Sequence, residues 1–245
     1  MPVWTSKQLD DYKIAGHYGF SGARIEDLGS AEYTLVVIAV DTSGSVSAYR
    51  EGIEQCLKTV ARACRVSPRA DNLMLRVFTF DSTLDEKHGF KPLMHCHESL
   101  YDDAIRCGGM TALYDACFNG LRSLSDYGRK LSEHDFDVNA VLFVITDGQD
   151  NSSRVRPSDV ALLAERAVTE EAVESITTIL VGLGVDGGLD SYLQGFHTKA
   201  HFDQYIGLSD ADDDTLARLA DFTGRSILAQ SRALGTGVSS VLLTF

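Results

Sequence analysis

The sequence lacks the features that mark secreted and membrane-spanning chains. Its 245 residues include five cysteines, an odd number without repeating spacing, which argues against a disulfide framework and favours a reducing compartment. No apolar run approaches the ~20 residues that a membrane-spanning helix needs. The first seven residues also lack the charged-then-apolar layout of a secretory leader. We therefore expect a soluble, cytoplasmic protein with no membrane partner.

Positive charge is also scarce. Lysine and arginine total 22 against 35 aspartate and glutamate residues, which gives a formal net charge of −13. Without a basic patch, such a surface repels nucleic acids and anionic membranes, so we expect neither as a partner. The acidic excess is compatible with cation binding, although it serves solubility equally well.

Common enzyme motifs are missing as well. The chain has no Walker loop, no GxGxxG after a strand and no GxSxG. These are the sequence marks of P-loop nucleotide hydrolases, dinucleotide-dependent enzymes and serine hydrolases. We therefore predict that the protein is not an enzyme.

The chain does contain an alternation of buried strands and amphipathic helices. Residues 35–40, 138–146 and 176–183 are almost wholly apolar, which is typical of strands buried on both faces. Apolar residues recur at helical spacing over 46–65 and 111–128. This alternation predicts an α/β fold, a doubly wound and mostly parallel sheet with helices on both faces.

One strand of the sheet should be antiparallel to the others. The apolar segment 73–80 is followed by a short turn and a return strand over 87–93, which predicts a hairpin and one antiparallel edge strand. Residues 1–32 are weakly periodic, and we interpret them as an N-terminal extension on the domain surface. A single domain then covers residues 33–245. Its apolar, small-residue-rich tail over 224–245 is compatible with one more strand.

Oxygen-bearing side chains cluster at three loops of this predicted fold. Asp41, Ser43 and Ser45 follow the first buried strand, Thr111 precedes a helix, and Asp147 follows a later buried strand. The carboxyl ends of parallel strands meet at one rim, so these side chains should lie together. Two carboxylates and three hydroxyls form a hard-oxygen set that suits Mg²⁺. Singly, the hydroxyls could cap helices and the aspartates could form turns.

The same residues carry a resemblance to a known family. Three segments in order resemble the metal-ion-dependent adhesion site (MIDAS) of von Willebrand factor A (vWA) domains: Asp41-x-Ser43-x-Ser45, Gly108-Gly109-Met110-Thr111-Ala112-Leu113 and Ile145-Thr146-Asp147-Gly148. The resemblance covers residues 33–230. It implies direct ligation by both serines, ligation by Thr111 when a ligand is bound, and direct or water-mediated ligation by the two aspartates. The cation would be Mg²⁺, with Mn²⁺ or Ca²⁺ as alternatives.

The resemblance also implies a function. In vWA domains a partner protein's Asp or Glu completes the coordination of the ion, so we expect a metal-dependent protein-binding module, an adaptor or assembly factor. Intracellular members of bacterial or viral type suggest an AAA+ ATPase or a stress-response complex as partner. Two alternatives stay open: a structural subunit of a larger assembly, and a Mg²⁺-dependent phosphoryl-transfer enzyme with Asp41 as nucleophile. The second needs a carboxylate two residues on, where the chain has Ser43. The chain departs from the vWA pattern in residues 1–32 and in a long insert over 184–211.

Overall fold

The architecture is taken from a computed structural model that describes residues 8–14, 18–234 and 242–245. The described strands are β1 (Leu9–Lys13), β2 (Gly19–Ala23), β3 (Glu32–Asp41), β4 (Leu73–Phe80), β5 (Leu84–Pro92), β6 (Asp137–Thr146), β7 (Ile176–Leu183) and β8 (Gln204–Leu208). The described helices are α1 (Arg50–Arg65), α2 (Leu113–Ser132), α3 (Pro157–Thr169), α4 (Gly187–Ala200) and α5 (Asp213–Ala233). Of these helices, none combines enough length with enough apolar character to span a lipid bilayer.

The strands form one mostly parallel sheet. Its order is β1-β2-β5-β4-β3-β6-β7-β8. Strands β4, β3, β6, β7 and β8 are parallel neighbours, whereas β5 runs antiparallel to β4 and β1 runs antiparallel to β2. The predicted α/β class, with an antiparallel part at one side, is confirmed. The return strand begins at Leu84, three residues earlier than predicted.

Alternate residues of each central strand enter two separate cores, because successive side chains point to opposite faces. Leu35, Val37 and Ala39 of β3 pack on the face that α2, α3 and α4 cover. Val36 and Ile38 of the same strand pack on the face that α1 and α5 cover. Both faces are therefore apolar, which explains why the central strands read as continuous apolar runs.

The predicted strand in the tail is wrong over residues 224–233. This segment continues α5, which begins at Asp213 and ends at Ala233. Gly224 lies against α1, where a β-carbon would be at an ordinary contact distance of 3.6 Å from the Cβ of Ala63. Residues 235–241 lie outside the described part of the chain, and 242–245 have no regular structure. The ring of Phe245 packs edge-on against Phe222.

Part of the predicted N-terminal extension contributes to the sheet. Strand β2 pairs with β5 at Gly22 and Phe90, and β1 lies outside β2. The hairpin is therefore the outermost described element at this side. Residues 1–7 and 15–17 of the extension lie outside the described ranges, and the boundary at residue 32 stays a prediction.

The buried side chain of Arg76 connects the β1–β2 hairpin to the rest of the domain. The Arg76 guanidinium on β4 is 1% exposed and donates to Glu86 (2.7 Å), Ser123 (3.0 Å) and Asn119 (3.0 Å). The second carboxylate oxygen of Glu86 accepts from the backbone N–H (3.0 Å) and hydroxyl (2.6 Å) of Ser21 on β2. One ion pair thus joins β2, β4, β5 and α2.

Replacing Arg76 should test this network. In Arg76→Leu, Glu86 loses its counter-ion and the oxygens of Asn119 and Ser123 lose their donor. Breaking a buried pair by removing one partner costs about 3–5 kcal/mol, so we expect a loss of unfolding free energy near the lower figure in urea titrations. The control is Arg225→Leu, which removes an exposed pair with Asp221 and should cost less than about 1 kcal/mol. Equal losses in the two variants would contradict the stabilising role.

A buried histidine should make stability depend on pH. His88 is 7% exposed, and its Nε2 lies 3.0 Å from the Tyr101 hydroxyl. Burial lowers the pKa of His88 to about 3, and the charges of Lys91 and Arg76 act in the same direction. The unfolded chain binds this proton near pH 6.5. The free energy of unfolding should therefore fall as the pH drops below about 6.5, by at most ~1.4 kcal/mol per pH unit from this group.

Urea titrations at several pH values between neutral and mildly acidic would measure the effect. His88→Gln removes the titrating ring, so its stability should decline less than that of the wild type. His134→Gln changes a surface histidine and should follow the wild type. A parallel decline of wild type and His88→Gln would show that other groups cause the acid sensitivity.

Candidate metal centre

The candidate site lies at the carboxyl ends of β3 and β6. These strands are parallel neighbours, with Val40 of β3 opposite Ile145 of β6. Asp41 is the last residue of β3, and Asp147 directly follows β6. The sheet therefore places the two carboxylates side by side, as the sequence predicts.

Asp41 is held by two hydrogen bonds in a nearly closed environment. Its side chain accepts from the backbone N–H of Ser43 at 2.7 Å and from the Thr146 hydroxyl at 2.5 Å. The residue is 1% exposed. Burial raises the pKa of Asp41 to about 6, with a further rise from Asp147, although both hydrogen bonds act to lower it. The folded chain therefore holds this anion at an electrostatic disadvantage.

The two serines join the first loop to Asp147. The Ser43 and Ser45 hydroxyl oxygens are 3.2 Å apart, and the Ser45 hydroxyl donates to Asp147 at 2.7 Å. Burial also raises the pKa of Asp147. Ser43 stands before the 3₁₀ turn Gly44–Tyr49, yet its side chain makes no capping bond there. Ser43 therefore does not cap this turn, which was the alternative to metal ligation for this residue.

Thr111 reaches the same cluster from the loop before α2. A β-carbon at Gly148 would lie 3.2 Å from the Thr111 hydroxyl oxygen and 3.8 Å from a carboxylate oxygen of Asp41. Gly148 therefore permits this close approach. The residue that precedes α2 at its N-cap is Ala112, so Thr111 does not cap the helix. The structure brings together all five predicted residues.

The oxygens of this cluster are carboxylates and hydroxyls only. Within residues 8–14, 18–234 and 242–245, no three His, Cys, Asp or Glu side chains are grouped as a metal site would require. The candidate site has two such residues, Asp41 and Asp147, and its other oxygens belong to Ser and Thr. Any cation held here would need hydroxyl ligands as well as carboxylates.

The sequence did not predict which residues support the cluster. Asn151 forms a reciprocal pair with Thr111: its side-chain oxygen accepts from the Thr111 N–H at 2.8 Å, and its own N–H donates to the Thr111 carbonyl at 3.0 Å. Asp115 accepts from the N–H groups of Arg154 and Val155. The loops that carry Thr111 and Asp147 are therefore held together as one unit. Only the position of Asn151 beside the Thr-Asp-Gly motif could have suggested its role.

Helix α4, within the predicted insert, also contacts this unit. The Tyr192 hydroxyl accepts from the Asp150 N–H at 3.1 Å and hydrogen-bonds the Tyr114 hydroxyl. The Asp150 side chain accepts from the Tyr114 N–H at 3.4 Å. The insert thus supports the loop that follows Asp147.

Comparisons with known proteins give similarity in fold alone. No protein-family profile matches the sequence, and no curated protein matches it. Solved structures do match. One is proximal thread matrix protein 1 (PTMP1) from the mussel byssus with a zinc-occupied MIDAS motif, at 16% identity and a TM-score of 0.53, covering 80% of this chain and 46% of PTMP1.

Two pilus proteins share the fold as well. The PilB minor pilin from Streptococcus sanguinis matches at 14% identity and a TM-score of 0.55, over 89% of this chain and 66% of PilB. The pilus adhesin SpaC from Lactobacillus rhamnosus GG matches at 11% identity and a TM-score of 0.58, over 86% of this chain and 32% of SpaC. The chain spans less than half of PTMP1 and SpaC and about two thirds of PilB. These matches support a vWA-like fold.

The Asn151 pair can be tested without any ligand. Asn151→Ala removes the acceptor of the Thr111 N–H, so hydrogen–deuterium exchange should accelerate over residues 108–113, with a loss of about 1 kcal/mol of stability. Gln149→Ala, at an exposed position of the same loop, should leave this exchange unchanged. Unaltered exchange in Asn151→Ala would mean that other contacts fix the Thr111 loop.

Proposed function

We propose that this chain is a metal-dependent protein-binding module whose site is a MIDAS. Asp41, Ser43, Ser45, Thr111 and Asp147 would hold a divalent cation, and the cation would capture an Asp or Glu side chain of a partner protein. A cytoplasmic adaptor or assembly role, with an AAA+ ATPase or stress-response complex as partner, belongs to the same proposal. The observation that carries it is the convergence of these five side chains from three separate loops.

The donor set fits a hard divalent cation. Two carboxylates and three hydroxyls are oxygen ligands, which favours Mg²⁺, with Mn²⁺ or Ca²⁺ as alternatives. A cation would also relieve the unfavourable pairing of Asp41 with Asp147. PTMP1, a protein of similar fold, carries zinc in its MIDAS motif, which supports a divalent ion at this position of the fold.

Partner capture would rest on a coordination position of the ion that the chain leaves open. Two carboxylates would formally balance the charge of a divalent ion. Mg²⁺ takes six oxygen ligands in octahedral geometry, whereas the site offers five side chains, so one position would remain for an anionic oxygen of the partner. Thr146 and the Ser43 N–H orient Asp41, and Ser45 orients Asp147. The loop unit that Asn151 closes would keep Thr111 beside them. These contacts preorganise the site before a partner arrives.

The geometry disfavours the phosphoryl-transfer alternative. A nucleophilic carboxylate must be accessible to its substrate, whereas Asp41 is 1% exposed and is already engaged by the Ser43 N–H and the Thr146 hydroxyl. The residue two positions on is Ser43, which cannot act as a carboxylate acid or base. We therefore infer a non-enzymatic role.

Metal binding should stabilise the fold. A ligand that binds only the folded state adds about 2.7 kcal/mol at 100 times its dissociation constant, so MgCl₂ should raise the melting temperature in a saturable way that EDTA reverses. Asp147→Ala should abolish the rise. The control Asp210→Ala removes an exposed carboxylate of the loop after β8 and should retain it. A rise of equal size in Asp147→Ala would place the ion elsewhere.

Partner capture needs a separate measurement. In a pull-down from the native host, the partner should be recovered with Mg²⁺ and lost with EDTA or with Asp147→Ala. Recovery that is unchanged by both treatments would refute metal-dependent capture. Light scattering on the isolated chain would favour the structural-subunit alternative if the chain self-associates without metal.

A further inference from the structure

A groove runs between α2 and α3 on the outside of the domain. Its walls include Phe118, Arg122 and Arg129 of α2 and Leu162 and Arg166 of α3, and it encloses about 370 Å³. We call it the α2–α3 groove. None of the five predicted ligands of the metal centre lines it, and the inference below does not depend on the proposed function.

The shape of the α2–α3 groove suits a helix. Its lining residues span 118–129 on α2 and 159–170 on α3, which corresponds to roughly 16 Å along each helix axis. Arg129 contacts Glu170 at 2.8 Å, so the last turns of α2 and the end of α3 lie side by side. Two helices running alongside each other leave a straight channel, the geometry in which an amphipathic helix binds.

The apolar side chains that line the α2–α3 groove are partly open to solvent. Leu162 is 45% exposed, and few other large apolar side chains of the described residues are as exposed to solvent. Phe118 is only partly buried, although it packs against the core beneath α2. Covering these side chains with apolar surface would be favourable at about 25 cal/mol per Å².

The charges of the α2–α3 groove contrast with those of the chain. Three arginines line it on a protein with a net charge of −13. Arg122 pairs with Asp126 in a partly buried contact, and Arg129 pairs with Glu170 in an exposed one. The exposed pair is weak and can exchange partners. Arg166 forms no ion pair within the described residues. Asp159, the other acid of the lining, is engaged by Arg156.

We propose that the α2–α3 groove binds an acidic amphipathic helix of a partner protein. The apolar face of that helix covers Phe118 and Leu162. Its flanking carboxylates pair with Arg166 and with Arg122 and Arg129. Charge complementarity favours an acidic partner, because the three arginines of the lining outnumber its two acids, Asp159 and Glu170.

Fluorescence anisotropy with two labelled peptides tests the inference. The first is a synthetic amphipathic helix on the order of fifteen residues long, with leucines on one face and glutamates on the other. The second carries lysines in place of the glutamates. The glutamate peptide should bind the full chain, more weakly as salt rises, and the lysine peptide should not.

Variants then locate the contact. Arg166→Glu and Leu162→Ser should each weaken binding of the glutamate peptide by about tenfold. Arg225→Glu reverses an exposed charge on α5, and Val66→Ser replaces an 82% exposed apolar side chain after α1; both should bind normally. Circular dichroism and thermal melting would verify that all four variants are folded.

Three outcomes would overturn the inference. The first is absence of binding by the glutamate peptide, and the second is equal binding by the lysine peptide. The third is a dimer, detected by light scattering, that Leu162→Ser dissociates, since the occupant of the groove would then be a second copy of this chain. All three readouts are made with EDTA present, so they are separate from any metal-dependent capture.

Discussion

The burial of a carboxylate at the end of β3 is the constraint on which the candidate site depends. Asp41 closes a strand that is covered on both faces, so its charge is largely removed from water. Isolated ions in such surroundings are costly unless hydrogen bonds or opposite charges compensate. The Ser43 N–H and the Thr146 hydroxyl supply part of this compensation. The remaining electrostatic cost is what a bound cation would relieve under the proposed function.

The rest of the architecture keeps that arrangement in place. Parallel pairing of β3 with β6 sets Asp41 beside Asp147, because the carboxyl ends of parallel strands lie at the same rim of the sheet. Reciprocal bonds between Asn151 and Thr111 then attach the α2 loop to the loop after β6. Arg76, at 1% exposure, has a counter-ion in Glu86 and two neutral acceptors in Ser123 and Asn119. The two buried charges thus differ in their partners: Arg76 has an opposite charge beside it, whereas Asp41, among the described residues, has hydrogen-bond donors but no ion pair.

Much of this could be predicted from residues close together in the sequence. The continuous apolar runs of β6 and β7 identified doubly covered strands, and the three short motifs located Asp41, Thr111 and Asp147. The β1–β2 hairpin could not be predicted this way, because its position comes from the contact of Ser21 with Glu86, 65 residues away. The prediction of a strand over residues 224–233 failed for a similar reason: α5 continues through this segment and packs on α1, and local propensity does not encode such tertiary contacts. Asn151 supports Thr111 across 40 residues, so its role appeared only in the folded chain.

The hairpin at the sheet margin has a consequence for self-association. An outermost strand presents unpaired backbone groups that can template pairing with another molecule, and charged side chains on such a strand oppose this. The outermost described strand on this side is β1, a five-residue segment containing Asp10, Asp11 and Lys13. Strand β5, with its buried Phe90, is paired on both sides instead. The hairpin therefore replaces an aggregation-prone margin with a short, charged one, which favours colloidal stability.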